Sequence, residues 1–474
     1  MPRLISKPAP QPAGHSHDDK NTPPHPQWRY NIQVVTPMFG GGVEARVLDP
    51  SQLIRGTSIR GHLRFWWRAT RGAKFDNLAS LREREAAIWG DTDTPSRVQL
   101  QVRLLNSDEP KPVLEYIEEL KNQNRKQKRD RTEPFSTNTD ALLYIAFPFT
   151  DKQGKADSRR AELLPFAEFQ LALSFSPQVQ PGSEENSLRK EVEAALWAWV
   201  NFGGLGARTR RGCGSLSCAV FSPQSPEIPQ WLEEKLNSYG ILLGQERPWP
   251  TLKDFFYSAR GADNCTAWLN AVHPLKLFRQ GEFVKSGKGN RHRSKSSAGM
   301  VGRDASNHSL WPEANAIRTI FEKARYYRKS SPNNAFPRAA FGLPIITQFK
   351  QNKVKIPETE LYPIVNNEPR GRMASPLITK SLNMRPSSGG RSAQGYPFIV
   401  RLSTALPSGL GLRKTEKKKQ KPEVIHAPLD KRAIVNPDFT QYPDSPMDTA
   451  SGGSAIEAFL SFITGKKNFK KITK

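Results

Sequence analysis

Residues 185–223 read "ENSLRKEVEAALWAWVNFGGLGARTRRGCGSLSCAVFSP". The first part is helical. Leu188, Val192, Ala195, Leu196 and Trp199 recur at i, i+4, i+7, i+8 and i+11, which is one apolar face. Glycines end the pattern, giving a helix over 185–204, and "SLSCAVFSP" (215–223) predicts a closing strand. Between them, residues 203–215 hold five glycines around Arg208, Arg210 and Arg211. Gly204, Gly206, Gly212 and Gly214 let the backbone approach a ligand closely, and the arginines supply charge. A plain helix–strand connection needing positive φ is the alternative. A dinucleotide fingerprint starting at Gly204 would require glycine where Thr209 stands, and would follow a strand rather than a helix. No Gly-Lys-Ser/Thr follows, and "SGKGN" puts Gly289 where the hydroxyl belongs, so nucleotide hydrolysis has no support.

Upstream, "WRYNIQVV" alternates as a strand through Tyr30, Ile32 and Val34, and Pro37 with Gly40–Gly42 breaks it. Ser58 is placed to cap a helix over 59–71. A helix at 81–90 and strands at 96–106, 140–149 and 167–177 follow. The order of strand, helix, several strands, helix, strand is the ferredoxin-like, or RRM-like, α+β plan with insertions. The second half carries a helix at 312–328, apolar runs at 339–349 and 396–405, and a C-terminal helix near 453–464. These suit a degenerate second copy, hence two tandem ferredoxin-like domains. The expected division is a disordered leader 1–27, a first domain 28–225, a Pro-punctuated linker 226–250 and a second domain 251–474.

Lys and Arg outnumber Asp and Glu by 71 to 45, a net charge of +26. A field of that sign attracts polyanions, nucleic acid first. No apolar run approaches the ~20 residues that span a bilayer, so no membrane partner is expected. The Pro- and His-rich leader lacks the apolar core of a secretory signal. Cys213, Cys218 and Cys265 form no even framework and no paired zinc motif, which fits a reducing cytoplasm and predicts no metal or other cofactor. Three basic segments, 121–131, 285–303 and 413–421, read as mobile loops, either solvated or acting as arms on a nucleic-acid groove.

"IRGTSIRGHLRFWWRATRG" (54–72) concentrates five arginines and two tryptophans with no acid. On a helix, Arg60, Arg64, Arg68 and Arg71 share one face, while Leu63, Trp66, Trp67 and Thr70 share another. The tryptophans read as core. Like charges at i,i+4 repel unless a counter-charge arrives. Guanidinium forks fit phosphate oxygens in pairs, so a phosphodiester backbone is the simplest partner for this stripe and for Arg55. Gly56 and Gly61 would flank an anion-binding helix start. A solvated cationic face is the blander reading.

The pattern Gly-x-Gly-x₅-Gly-x-Gly-Ser between last helix and last strand resembles the glycine loop of the RAMP superfamily of CRISPR RNA-binding proteins. "TPMFGGG" with "IRGTSIRGHLRFWWRA", "REREAAIWG", "FPRAAFGLPI" (336–345) and "RMASPLI" (372–378) are similar to a subunit that caps one end of the type III-B CRISPR effector, the Cmr complex. The resemblance runs from about residue 28 past 400. It implies two tandem ferredoxin-like domains and a non-catalytic role in binding guide RNA and target RNA. The RNA contacts expected are Arg55, Arg60, His62, Arg64, Arg68, Gly204, Gly206, Arg208, Arg210, Arg211, Gly212 and Gly214. It also implies neighbours, the sixth subunit and the repeating backbone subunit. The leader and the long basic loops depart from the pattern.

A metal-free ribonuclease would need a general base and acid near a 2′-hydroxyl. His62 is the best candidate, since phosphates beside it would raise its pKa, and an RNA-processing endoribonuclease is the alternative reading. A general single-stranded nucleic-acid-binding protein is the third. Asp304 has no positional match to a catalytic acid, and no acidic cluster suggests a two-metal site.

Overall fold

The computed structural model describes residues 27–40, 42, 46–130, 139–146, 161–280, 282–285, 291–294, 311–321, 335–349, 356–386, 390–392, 394–415, 429–430 and 454–472. In chain order the first half runs β1 (Trp28–Val34), α1 (Gly56–Arg71), α2 (Leu78–Trp89), β2 (Val98–Ser107), α3 (Val113–Asp130), α4 (Thr139–Ala146), β3 (Ala167–Phe175), α5 (Ser183–Phe202) and β4 (Leu216–Cys218). The second runs α6 (Ile228–Tyr239), β5 (Thr251–Ser258), α7 (Asn264–Gln280), α8 (Glu313–Ile320), β6 (Leu377–Asn383), β7 (Gln394–Ser403), α9 (Ala455–Lys466) and β8 (Phe469–Ile472).

The first sheet has the antiparallel order β2-β3-β1-β4. The second has the order β6-β7-β5-β8. Numbering each set of four from its own start, both orders read 2-3-1-4, with helices α1 and α5 in the first crossovers and α7 and α9 in the second. Both halves are therefore ferredoxin-like. The second is a copy in topology although its sequence shows no self-similarity.

The halves share one core. Tyr30, Ile32, Phe169 and Leu171 of the first sheet face α1 and α5 in the same apolar cluster that holds Leu252, Phe255, Phe398, Val400 and Leu402 of the second sheet. Phe202, at the end of α5, lies 5.1 Å from Phe255 and 5.9 Å from Phe398 between ring centroids. The other face of the second sheet, with Phe256 and Ile399, packs against α7 and α9. The layers run sheet, helices, sheet, helices. This explains two sequence features. The C-terminal half of α5 is buried all round, from Ala194 to Phe202, because sheets cover it on both sides. The run at 396–400 is continuously apolar because alternate residues face different cores.

A third cluster joins the insertion to the second half. It contains Val113, Ile117, Leu142 and Ile145 with Trp268, Leu269 and Val272 of α7. Here expectation and structure differ. "DALLYIA" is helix α4, not a strand; short apolar runs do not declare their period, and this one packs its buried side on α7. Residues 147–149 of that predicted strand lie outside the described residues. The basic segment from 121 continues α3 to Asp130 instead of looping, since it contains neither Gly nor Pro. Within 285–303, Arg291–Ser294 pairs with Glu282–Lys285 as a two-stranded hairpin; the rest lies outside the described residues. Of 413–421, Arg413 and Lys414 end a strand (Gly409–Lys414), and residues 416–421 are outside. The leader, apart from Gln27, is outside too, as are 322–328 of the predicted helix at 312–328. Residues 226–250 are not a bare linker: α6 places Trp231 and Leu232 in the shared core. The closing strand is three residues long, because Ser222 Oγ accepts from the Cys218 amide at 3.0 Å and folds the chain back.

Candidate nucleic-acid interface

Helix α1 starts at Gly56, with Arg55 at the N-cap position and no side-chain cap, so Ser58 lies inside the first turn. Gly61 sits within the helix and does not flank its start. Trp66 and Trp67 are 2% and 0% exposed, in the shared core. The arginines share one face of α1 as their spacing predicts, but that face is covered in part by α2. Arg64 Nε and Arg68 Nη1 both reach Glu85 Oε1, at 2.7 and 2.6 Å. Glu85 is 4% exposed and comes from "REREAAIWG", one helix later. Arg60 donates to the Trp89 and Val98 carbonyls at 3.1 and 3.2 Å, and Arg64 to Gly90 O at 3.2 Å. These guanidiniums satisfy the carbonyl end of α2, where a cation is favoured. Arg71 is buried and donates to Tyr239 O and Lys190 O.

The counter-charge that the stripe requires is thus partly internal. Yet two guanidiniums, Arg64 and Arg68, share a single carboxylate, while Arg60 beside them bonds carbonyls. Arg64 and Arg68 keep about a third of their side chains exposed, at 34% and 33%. Burial, then the neighbouring Arg64, lowers the Arg60 pKa. The arrangement can take an anion at its outer edge, while its inner edge is structural.

His62 lies off this edge. Its ring is stacked on Trp199, 6.3 Å between centroids and 15° between planes, and burial lowers its pKa. The ring packs on α5, with burial as the cause of the shift.

The glycine loop is also more deeply placed than its composition suggests. Gly206, Gly212 and Gly214 have φ of 78°, 74° and 62°. A Cβ at Gly212 would stand 2.8 Å from the Thr379 carbonyl of β6, and one at Gly206 2.6 Å from Met38 Cγ. At Gly204 it would lie 2.8 Å from Gly214 O. Trp268 Nε1 donates to Arg211 O at 2.5 Å, Arg210 donates to Ser375 O, and Arg211 to Leu377 O at 3.2 Å. The glycines are explained by backbone conformation and by close packing on the second half. The loop is a joint between the domains. Burial lowers the Arg210 and Arg211 pKa values to about 10. Arg208, in a left-handed conformation, is lowered too, again by burial. Arg211, Arg208 and Arg279 of α7 surround Tyr144 of α4, whose hydroxyl accepts from Arg279 at 2.7 Å. Burial would raise the Tyr144 pKa, but Arg279 first and then Arg211 and Arg208 bring it below its ordinary value.

Sequence reading did not single out Glu85, Tyr144, Trp268, Arg279 or Lys380. Lys380 is fully buried in β6, with Nζ donating to Gly203 O at 2.8 Å, and burial pushes its pKa down to about 7. The unfolded chain holds this proton up to about pH 10.4. Stability therefore rises with pH above about 7 and is lost as pH falls through that value. Replacing Lys380 by Met removes this titration. The stability of the wild type minus that of Lys380→Met should grow by as much as about 1.4 kcal/mol per pH unit above pH 7. Urea unfolding at two pH values checks it, and a pH-independent difference contradicts it.

Among the described residues, no group of three His, Cys, Asp or Glu is placed to hold a metal, and no helix is long and apolar enough to cross a membrane.

A ferredoxin-like domain closed by a glycine loop defines a class, and residues 31–217 match the family model of the RAMP superfamily. Part of the chain is similar in sequence to Cmr1 subunits of the CRISPR Cmr system. It is 28% identical over 191 residues to the CRISPR system Cmr subunit Cmr1-2 of Pyrococcus furiosus, an alignment covering 40% of this chain and 92% of that protein. It is 30% identical over 164 residues to Cmr1-1 of the same organism, covering 34% of this chain and 40% of that one. Among solved structures, the apo crystal structure of Pyrococcus furiosus Cmr1 aligns with a TM-score of 0.43 at 16% identity, over 94% of this chain and 98% of that one. A chain of the type III-B Cmr-beta complex bound to cognate target RNA aligns with a TM-score of 0.45 at 13% identity, over 80% and 94%.

Proposed function

We propose that this chain is a Cmr1-type subunit of a type III-B CRISPR effector, that it holds guide or target RNA by its phosphates, and that it does no cleavage itself. The homology of the RAMP domain to Cmr subunits carries this reading. The charge of +26 and the two partly exposed arginines sharing one carboxylate support the polyanion. Its partners are then RNA and the sixth and backbone subunits of the complex, in the cytoplasm. The residues proposed to meet phosphate are Arg55, Arg64 and Arg68 at the outer edge of α1. Arg60 ties α1 to α2 and β2, and Arg210 and Arg211 of the glycine loop hold the joint to the second half.

The pairing with Glu85 dictates the test. Reversing Arg64 and Arg68 to Glu would place new acids on a buried carboxylate and confound binding with folding. Arg68→Gln leaves Arg64 on Glu85. This variant should bind single-stranded RNA about fivefold to tenfold more weakly at low salt, with the slope of log affinity against log salt reduced by about 1. Fluorescence anisotropy across a salt series measures both. Wild-type affinity and slope in the folded variant would remove Arg68 from the interface.

A further inference from the structure

The seam between the halves contains a small polar cage. Asn264 at the start of α7, and Ser381 and Asn383 in β6, are 7%, 0% and 2% exposed. Asn264 Nδ2 donates to Ser392 O at 2.6 Å, and Asn383 Nδ2 to Leu216 O of β4 at 2.9 Å. Those bonds fix which way each amide points. The two Oδ1 atoms therefore look elsewhere, and among the described residues neither has a hydrogen-bond partner; nor has Ser381 Oγ. All three converge over Gly395, the residue opposite Asn383 in the β6–β7 pair. A Cβ built there would lie 2.9 Å from Asn264 Oδ1 and 3.1 Å from Asn383 Oδ1, and would collide with Ser381 Oγ.

Buried acceptors without donors are costly, and native interiors satisfy nearly all of them. We propose that the space bounded by Asn264, Ser381, Asn383 and Gly395 binds one water molecule. It donates to both Oδ1 atoms and accepts from the Ser381 hydroxyl. Three bonds to otherwise orphaned groups are the usual complement of a buried water. A metal cation suits the cage less well. Hard cations take six or more oxygens, and no carboxylate lies among these three to offset a buried charge.

The water has a mechanical role. Asn383 grips the edge of the first sheet through Leu216, and the Ser392 amide donates to Gln33 Oε1 of β1 at 2.9 Å. The water joins these two grips to each other and to α7. It adds a polar tie to a seam that the bonds of Arg210, Arg211, Trp268 and Lys380 also cross.

A crystal structure of the full chain, grown in potassium and soaked with thallium, tests the proposal. The expected map shows one peak within hydrogen-bond distance of all three oxygens and no thallium signal there. An empty cage, or a thallium peak, overturns it. Gly395→Ala fills the space and should lower the melting temperature by about 1–3 °C or more. Ser381→Ala keeps the space and two acceptors and should cost less. A Gly395→Ala protein that melts with the wild type also overturns the proposal. If that variant does not fold, the wild-type map decides.

Discussion

Replacing Gly214 by Ala should cost the folded chain about 3–5 kcal/mol, the largest effect expected of any single methyl group here. Two terms add. Gly214 has φ of 62°, where an L-residue is strained. Its Cβ would also fall on the Leu205 carbonyl oxygen, across the paired backbone of the loop, where Leu205 N donates to Gly214 O at 2.9 Å. The loop cannot relax alone, because Trp268 holds Arg211 O and Lys380 holds Gly203 O. Gly61→Ala is the internal control. That glycine is exposed within α1, with nothing within 4 Å of a new Cβ. Alanine there should stabilise by about 0.5–1 kcal/mol. Urea unfolding of the two variants beside the wild type measures both. A Gly214→Ala protein within about 1 kcal/mol of wild type would show that the loop is pliable and not a joint.

Glu85→Ala should act in two directions at once. Removing a buried carboxylate from two guanidiniums typically costs about 3–5 kcal/mol. Arg64 and Arg68 are each a third exposed, so water screens them and about 2–3 kcal/mol is the expected loss. The same change frees both guanidiniums. If the outer edge of α1 holds phosphate, RNA affinity at low salt should rise, by about threefold to tenfold, while stability falls. Parallel unfolding and anisotropy measurements separate the two. A loss of stability with no gain in affinity would confine the stripe to a structural role.

The local elements were legible where periodicity was strong. Helix α5, strand β3 and the arginine and tryptophan faces of α1 can be read from spacing, because each has a clear apolar side. What could not be read is what covers those sides. Glu85 is an ordinary surface-type residue in its own helix, with another carboxylate two positions earlier at Glu83. Only the approach of α1 to α2 makes it the partner of Arg64 and Arg68. The same holds for the glycine loop. Its composition signals close approach, and no local pattern shows that at Gly212 the approaching group is β6. Helix α4 was misread because its six apolar residues fit either period, and its burial on α7 is a contact across more than a hundred residues. Lys380 sits in "LITKSLN", polar enough to suggest an exposed strand, yet buried because two domains close over it.

The most direct test of the central claim is purification of the tagged full chain from its native host, with RNA sequencing and mass spectrometry of what accompanies it. The Cmr1-type reading predicts CRISPR guide RNA and other Cmr subunits, retained at low salt and shed as salt is raised. Recovery of the chain without RNA and without Cmr subunits would contradict it.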